Sequence, residues 1–97
     1  MTSLNRKQEI MEFLSQNVFD PILNSATASN ILKSGVKYTI MRLNQLNAES
    51  MIKYYWSSIA GTERSTEFAK QMRTEGFARF ESEEVLEEFR NRFNAWV

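Results

Sequence analysis

Residues 82–93 read SEEVLEEFRNRF, and they decide the fold class. Ser82 is a side chain that accepts from the unpaired N–H groups at a helix start, and Glu83 and Glu84 follow where the positive end of the helix dipole favours acids. Leu86, Phe89 and Phe93 return at helical spacing. Glu88 and Arg92 form an i, i+4 pair in the better orientation, and Arg90 and Arg92 lie towards the negative end. Propensity, capping, charge and apolar period all point to a helix.

Outward from there, the same signals repeat. Phe77 and Phe80 occupy a connection and are expected to fold back onto the core. Gly76 stops the preceding helix, which starts at Thr62 or Ser65 after a stop at Gly61, carries Phe68, Ala69 and Met72, and runs through Glu75. Asn47 caps a helix over Ala48–Ala60, whose Met51, Ile52, Tyr54, Tyr55, Trp56 and Ile59 cover most of its circumference. That helix is expected near the centre of the fold or at an interface.

Over Ile31–Leu46, Leu32, Val36, Ile40, Leu43 and Leu46 share one face, while Lys33, Lys37 and Asn44 project from its edge and beyond. Gly35 sits beside the apolar face, where it costs up to about 1 kcal/mol relative to Ala unless another helix approaches closely. Close packing is the expectation. Met41 points almost opposite to Leu32 and Val36, with Ile31 and Tyr38 on the flank, so this helix is apolar on two sides. Asn24–Asn30 reads as a loop ending in a Ser29 or Asn30 cap. Asp20 and Pro21 read as the start of one short helical turn through Ile22 and Leu23. Leu4–Asn17 reads as the first helix, capped by Thr2 or Ser3, with Ile10, Leu14 and Val18 as its stripe and Met11 and Phe13 broadening it.

Length and composition agree. The chain has 97 residues, with 42% hydrophobic and 25% charged, which suits one folded domain over 1–97 rather than a disordered tail. Three glycines and one proline are too few for many short strands and tight turns. The expected fold is all-α: a compact bundle of four main helices plus one short helix.

Composition also removes function classes. Without Cys or His, thiolate zinc sites, disulfides and the usual nucleophile–base pairs are unavailable. No stretch approaches the roughly 20 apolar residues that span a bilayer, and Met1–Lys7 lacks a signal-peptide pattern. A cytoplasmic protein with no membrane contact is expected. Net charge is zero, so the broad basic field of a nonspecific nucleic-acid binder is missing. Through Ala60 there are six Lys or Arg against four acids, and from Gly61 onward six against eight. That asymmetry names no partner.

Several groupings combine the chemistry of a site with a plain structural role. Tyr54, Tyr55 and Trp56 beside Lys53 have the chemistry to stack on bases or a planar ligand. Successive helical residues point about 100° apart, so part of that run must be core. Ser57–Met72 invites a helix-turn-helix reading with Arg64, Lys70 and Arg73 facing DNA, but Glu67 and Lys70 stand where the second helix needs apolar residues. Glu81, Glu83, Glu84, Glu87 and Glu88 resemble a carboxylate cluster, yet a di-iron centre of the Glu-x-x-His type needs the missing histidines. No acid–base pair stands out, and the one aspartate, Asp20, has a capping role to play. Glu63 and Arg64 beside Gly61 read as an exposed turn. No metal, cofactor or enzymatic activity is expected.

The expected function is therefore a small noncatalytic interaction or regulatory module. Its surface is expected to include Met41, Tyr38, Tyr54 and Trp56, its partner is a protein, and self-association as a homodimer is the favoured form. Met11, Met51 and Met72 join Met41 as side chains expected to give an adaptable binding surface, because methionine repacks easily around varied partners. Two rivals remain: a nucleic-acid regulator contacting phosphate through Lys33, Lys37 and Arg42, or through Arg64, Lys70 and Arg73, and a small-ligand binder built around Trp56.

Overall fold

The first N–H groups of a helix have no partner inside it, and in this protein side-chain oxygens take that role. In the computed structural model, which describes residues 3–60 and 66–96, Ser29 accepts from Leu32 N at 3.0 Å and Asn47 from Ser50 N at 2.8 Å. Thr66 accepts from Ala69 N at 3.2 Å and Ser82 from Val85 N at 3.3 Å. The helices they open are α3 (Asn30–Asn44), α4 (Ala48–Tyr54), α5 (Glu67–Thr74) and α6 (Glu83–Phe93). Two further segments, α1 (Ser3–Leu14) and α2 (Asp20–Leu23), precede them.

Three expectations need correcting. Asp20 and Pro21 do not start a separate helix: a π-helical turn, Ser15–Phe19, joins α1 to α2 in one rod, and Asp20 keeps helical angles with its N–H on Ser15 O. The wider turn lies just before the residue that lacks a donor and crowds the preceding turn. Burial of Ile10, Phe13, Leu14, Val18, Phe19 and Ile22 along the rod holds it through the proline. The α5 cap is Thr66 rather than Thr62 or Ser65, because the hydroxyl of Thr66 also donates to Ser58 O at 2.8 Å and so ties the new helix to the end of the previous one. Met51 and Met72 are fully buried and fill the core instead of offering an adaptable binding surface. The Gly61 stop and the Glu63–Arg64 turn lie outside the described residues.

With α1 and α2 merged, the described chain folds as five helical rods, the compact all-α bundle expected from the sequence. The radius of gyration is 12.7 Å, close to the ~13 Å of a 100-residue domain. A second π turn, Tyr55–Ile59, extends α4, and Ala60 N donates to Tyr55 O across it. α1 packs on α4, α2 on α3, and α5 on both α3 and the end of α4. The expected central position of 48–60 holds: Met51, Ile52, Tyr55, Ile59 and Ala60 are buried.

The core gathers around Phe89 of α6. Tyr55 stacks on it with ring centroids 3.9 Å apart, and Phe13, Trp56 and Phe93 meet it edge-on at 5.7, 5.5 and 4.9 Å. The three edge-on contacts suit the ring quadrupoles. The Tyr55 hydroxyl, buried with its ring, donates to Phe80 O at 2.9 Å. Phe80 itself is buried, as expected of the connection before α6. Gly76 takes a left-handed φ of 88°, and Phe77 N donates to Met72 O while Gly76 N donates to Arg73 O. That is the Schellman stop expected of Gly76.

Candidate interaction surface

The buried side of α3 consists of Leu32, Val36, Thr39 and Leu43, with Ile40 and Leu46 half-buried beside it. Successive residues turn by about 100°, so the opposite side presents Ile31, Ser34, Tyr38, Met41 and Gln45. Ile31 is 77% exposed, Tyr38 59% and Met41 54%, and these are the only large hydrophobic residues so exposed among the described ones. All three stand on one face of one helix. Scattered exposed apolar residues need no explanation, whereas three aligned on one helix face make a candidate contact surface.

Cations border the stripe. Lys37 lies on one edge and Arg42 on the other, both exposed, with half-buried Lys33 further round beyond Lys37. Asn30–Asn44 contains no acid. Tyr54 of α4 stands near the C-terminal half of the stripe. Its phenol is pushed above the ordinary tyrosine value, first by burial and then by its proximity to Tyr38, while Arg42 and a side-chain hydrogen bond with Thr39 oppose the shift. The structure thus brings Tyr38, Met41, Tyr54 and Arg42 into one neighbourhood.

Trp56 belongs elsewhere. It is half-buried, its indole N–H donates to Asn94 Oδ1 at 2.8 Å, and Arg90 covers its ring at 5.3 Å. With Phe89 and Tyr55 edge-on to it, Trp56 is a packing residue on the α6 side of α4. The two cations of α5 are also engaged inside the molecule. Arg73 Nε donates to both oxygens of Glu81 at 2.9 and 2.8 Å, and Lys70 is 3.6 Å from Glu67.

At its N-terminal end the stripe opens into a groove of about 290 Å³ between α3 and α5, lined by Ile31, Leu32, Gly35, Glu67, Phe68 and Gln71. Phe68 leans over Gly35, where an added Cβ would stand 3.2 Å from Phe68 Cδ1. This is the close approach that the mid-helix glycine predicted. The end of the α3–α5 pair is tied by Glu75, which accepts from Ser29 N at 2.7 Å and Ser29 Oγ at 2.6 Å, and also from Gln71 Nε2. Those bonds, Ser29 Oγ foremost, hold its carboxyl below the usual range. Sequence reading missed Glu75 as a tie because its partner lies in another element 46 positions away.

A broader depression of about 430 Å³ between Lys7, Gln8, Met11 and Asn44 lacks convergent polar groups, since Lys7 Nζ donates to Asn44 O at 3.0 Å and closes the end of α3. Among the described residues no set of acids is grouped to hold a metal ion, and no helix is long and apolar enough to cross a membrane. The chain matches no protein-family model, no curated protein and no solved structure.

Proposed function

We propose that this chain is a noncatalytic protein–protein interaction module that docks its partner on the outward face of α3. One observation carries the reading: Ile31, Tyr38 and Met41, the exposed large hydrophobics of the described residues, line up on the side of α3 that faces away from the core. An amphipathic helix laid along that face meets them at successive turns, and the groove beside Phe68 accepts a side chain at one end.

The nucleic-acid alternative draws on the same helix, because Lys37 and Arg42 have no acid beside them on α3. Its weakness is the apolar strip between the cations, which phosphates would leave exposed to water.

The test is a titration of the isotope-labelled protein with a helical peptide of about three heptads, apolar on its seam and glutamine at its flanking positions. Amide shifts confined to residues 30–45 and to the facing part of α5 are expected. Shifts centred on α6, or none up to about 1 mM peptide, would sink the reading, since even one weak helix-groove contact should register there.

A further inference from the structure

Ile31, Ser34, Tyr38, Met41 and Gln45 recur at alternating steps of three and four, which are the a and d positions of a heptad register. In that register Lys37 falls at g and Arg42 at e, the positions that flank a helix–helix seam and choose its partner. No acid on α3 offsets them. Glu67, on the far wall of the groove, has Lys70 beside it at 3.6 Å.

We infer that α3 receives an acidic amphipathic helix from a different protein, apolar at its seam positions and bearing Asp or Glu at its flanking ones. The inference rests on the interaction-module reading and adds the partner's chemistry. An acidic flank places carboxylates beside both Lys37 and Arg42, whereas a basic flank places cations there.

The same arithmetic disfavours a second copy of this chain on the seam. Parallel self-pairing sets each Lys37 against the other copy's Arg42, because a g residue meets the e residue five positions on. Antiparallel self-pairing brings Lys37 beside its own symmetry mate. The most acidic helix, α6, is no substitute: its exposed Glu83, Glu84, Glu87 and Glu88 are accompanied by no exposed large hydrophobic residue to fill the seam.

Three peptides sharing one apolar seam, flanked by Glu, Gln or Lys, supply the test by fluorescence anisotropy and amide shifts. At low salt the Glu peptide is expected to bind about tenfold more tightly than the Lys peptide, and the gap should narrow as salt screens the flanks. The double variant Lys37→Glu, Arg42→Glu, whose changes lie on exposed positions, should reverse the order. Equal affinities, or a variant that keeps the original order, overturn the inference. If the Gln peptide also fails to shift α3, the parent reading falls instead. Duplex DNA or anionic vesicles that bind α3 more tightly than the Glu peptide overturn the inference in favour of phosphate recognition. A stable dimer by light scattering that Tyr38→Ser dissociates overturns it in favour of a second copy.

Discussion

Phe68 of α5 rests on Gly35 of α3, so closely that a Cβ at the glycine would stand 3.2 Å from the ring. Two effects compete when Gly35 becomes Ala. The helix gains up to about 1 kcal/mol of propensity, and the half-buried ring must shift by a few tenths of an ångström. The groove beside Phe68 gives it room. Gly35→Ala is therefore expected to stay within about 0.5 kcal/mol of the parent in urea unfolding. Gly35→Val, with two extra methyl groups at the contact, should lose about 1–3 kcal/mol.

Tyr55 is fully buried and its hydroxyl has one partner, the Phe80 carbonyl. Tyr55→Phe keeps the stacked ring but strands that carbonyl, so stability should fall by about 1–2 kcal/mol. Burial pushes the phenol of Tyr55 well above its ordinary value, and that of Tyr54 in the same direction. A raised acid contributes stability below its unfolded value and loses it as pH rises beyond that value. Chemical denaturation midpoints should therefore drop from about pH 10 upward, and less steeply in Tyr55→Phe. An unchanged alkaline slope in that variant would contradict the buried phenol.

Glu75 titrates in the opposite sense. Its carboxyl is held low by Ser29 Oγ, Gln71 and the Ser29 amide, so its contribution is present above the ordinary carboxylate value and disappears as pH falls through the lowered one. Glu75→Gln should lower the thermal midpoint at neutral pH and flatten the acid limb below about pH 4.5. Parallel acid limbs in parent and variant would exclude the Glu75–Ser29 tie as their cause.

Surface and core aromatics should separate cleanly. Tyr38→Ser with Met41→Ser touches only residues more than half exposed, and is expected to move stability by no more than about 0.5 kcal/mol per site. Phe89→Ala empties the centre of the aromatic cluster and should cost about 3–5 kcal/mol, a large share of a small domain's stability. A large loss in the Tyr38/Met41 variant would mean that this face serves the fold rather than a partner.

Local sequence alone determined the all-α class, the caps at Ser29, Asn47 and Ser82, the stop at Gly76 and the inward face of α3. Each depends on residues within about one turn, where capping groups and the helical period act directly. Local rules also marked Met41 as opposite to Leu32 and Val36, and Gly35 as a site of close approach. Tertiary structure decided the rest. Burial of the whole α1–α2 stripe carries the chain through Pro21 by way of a π turn, against the local start signal at Asp20. Trp56 and Tyr54, two positions apart, part company because α6 takes Trp56 while Tyr54 lies near Tyr38 and Arg42 of α3. Ile31, Tyr38 and Met41 are left uncovered because α2 and α5 pack on α3 without burying its outward side. Periodicity says which residues share a helix face, but whether another element covers that face depends on chain segments far away in sequence.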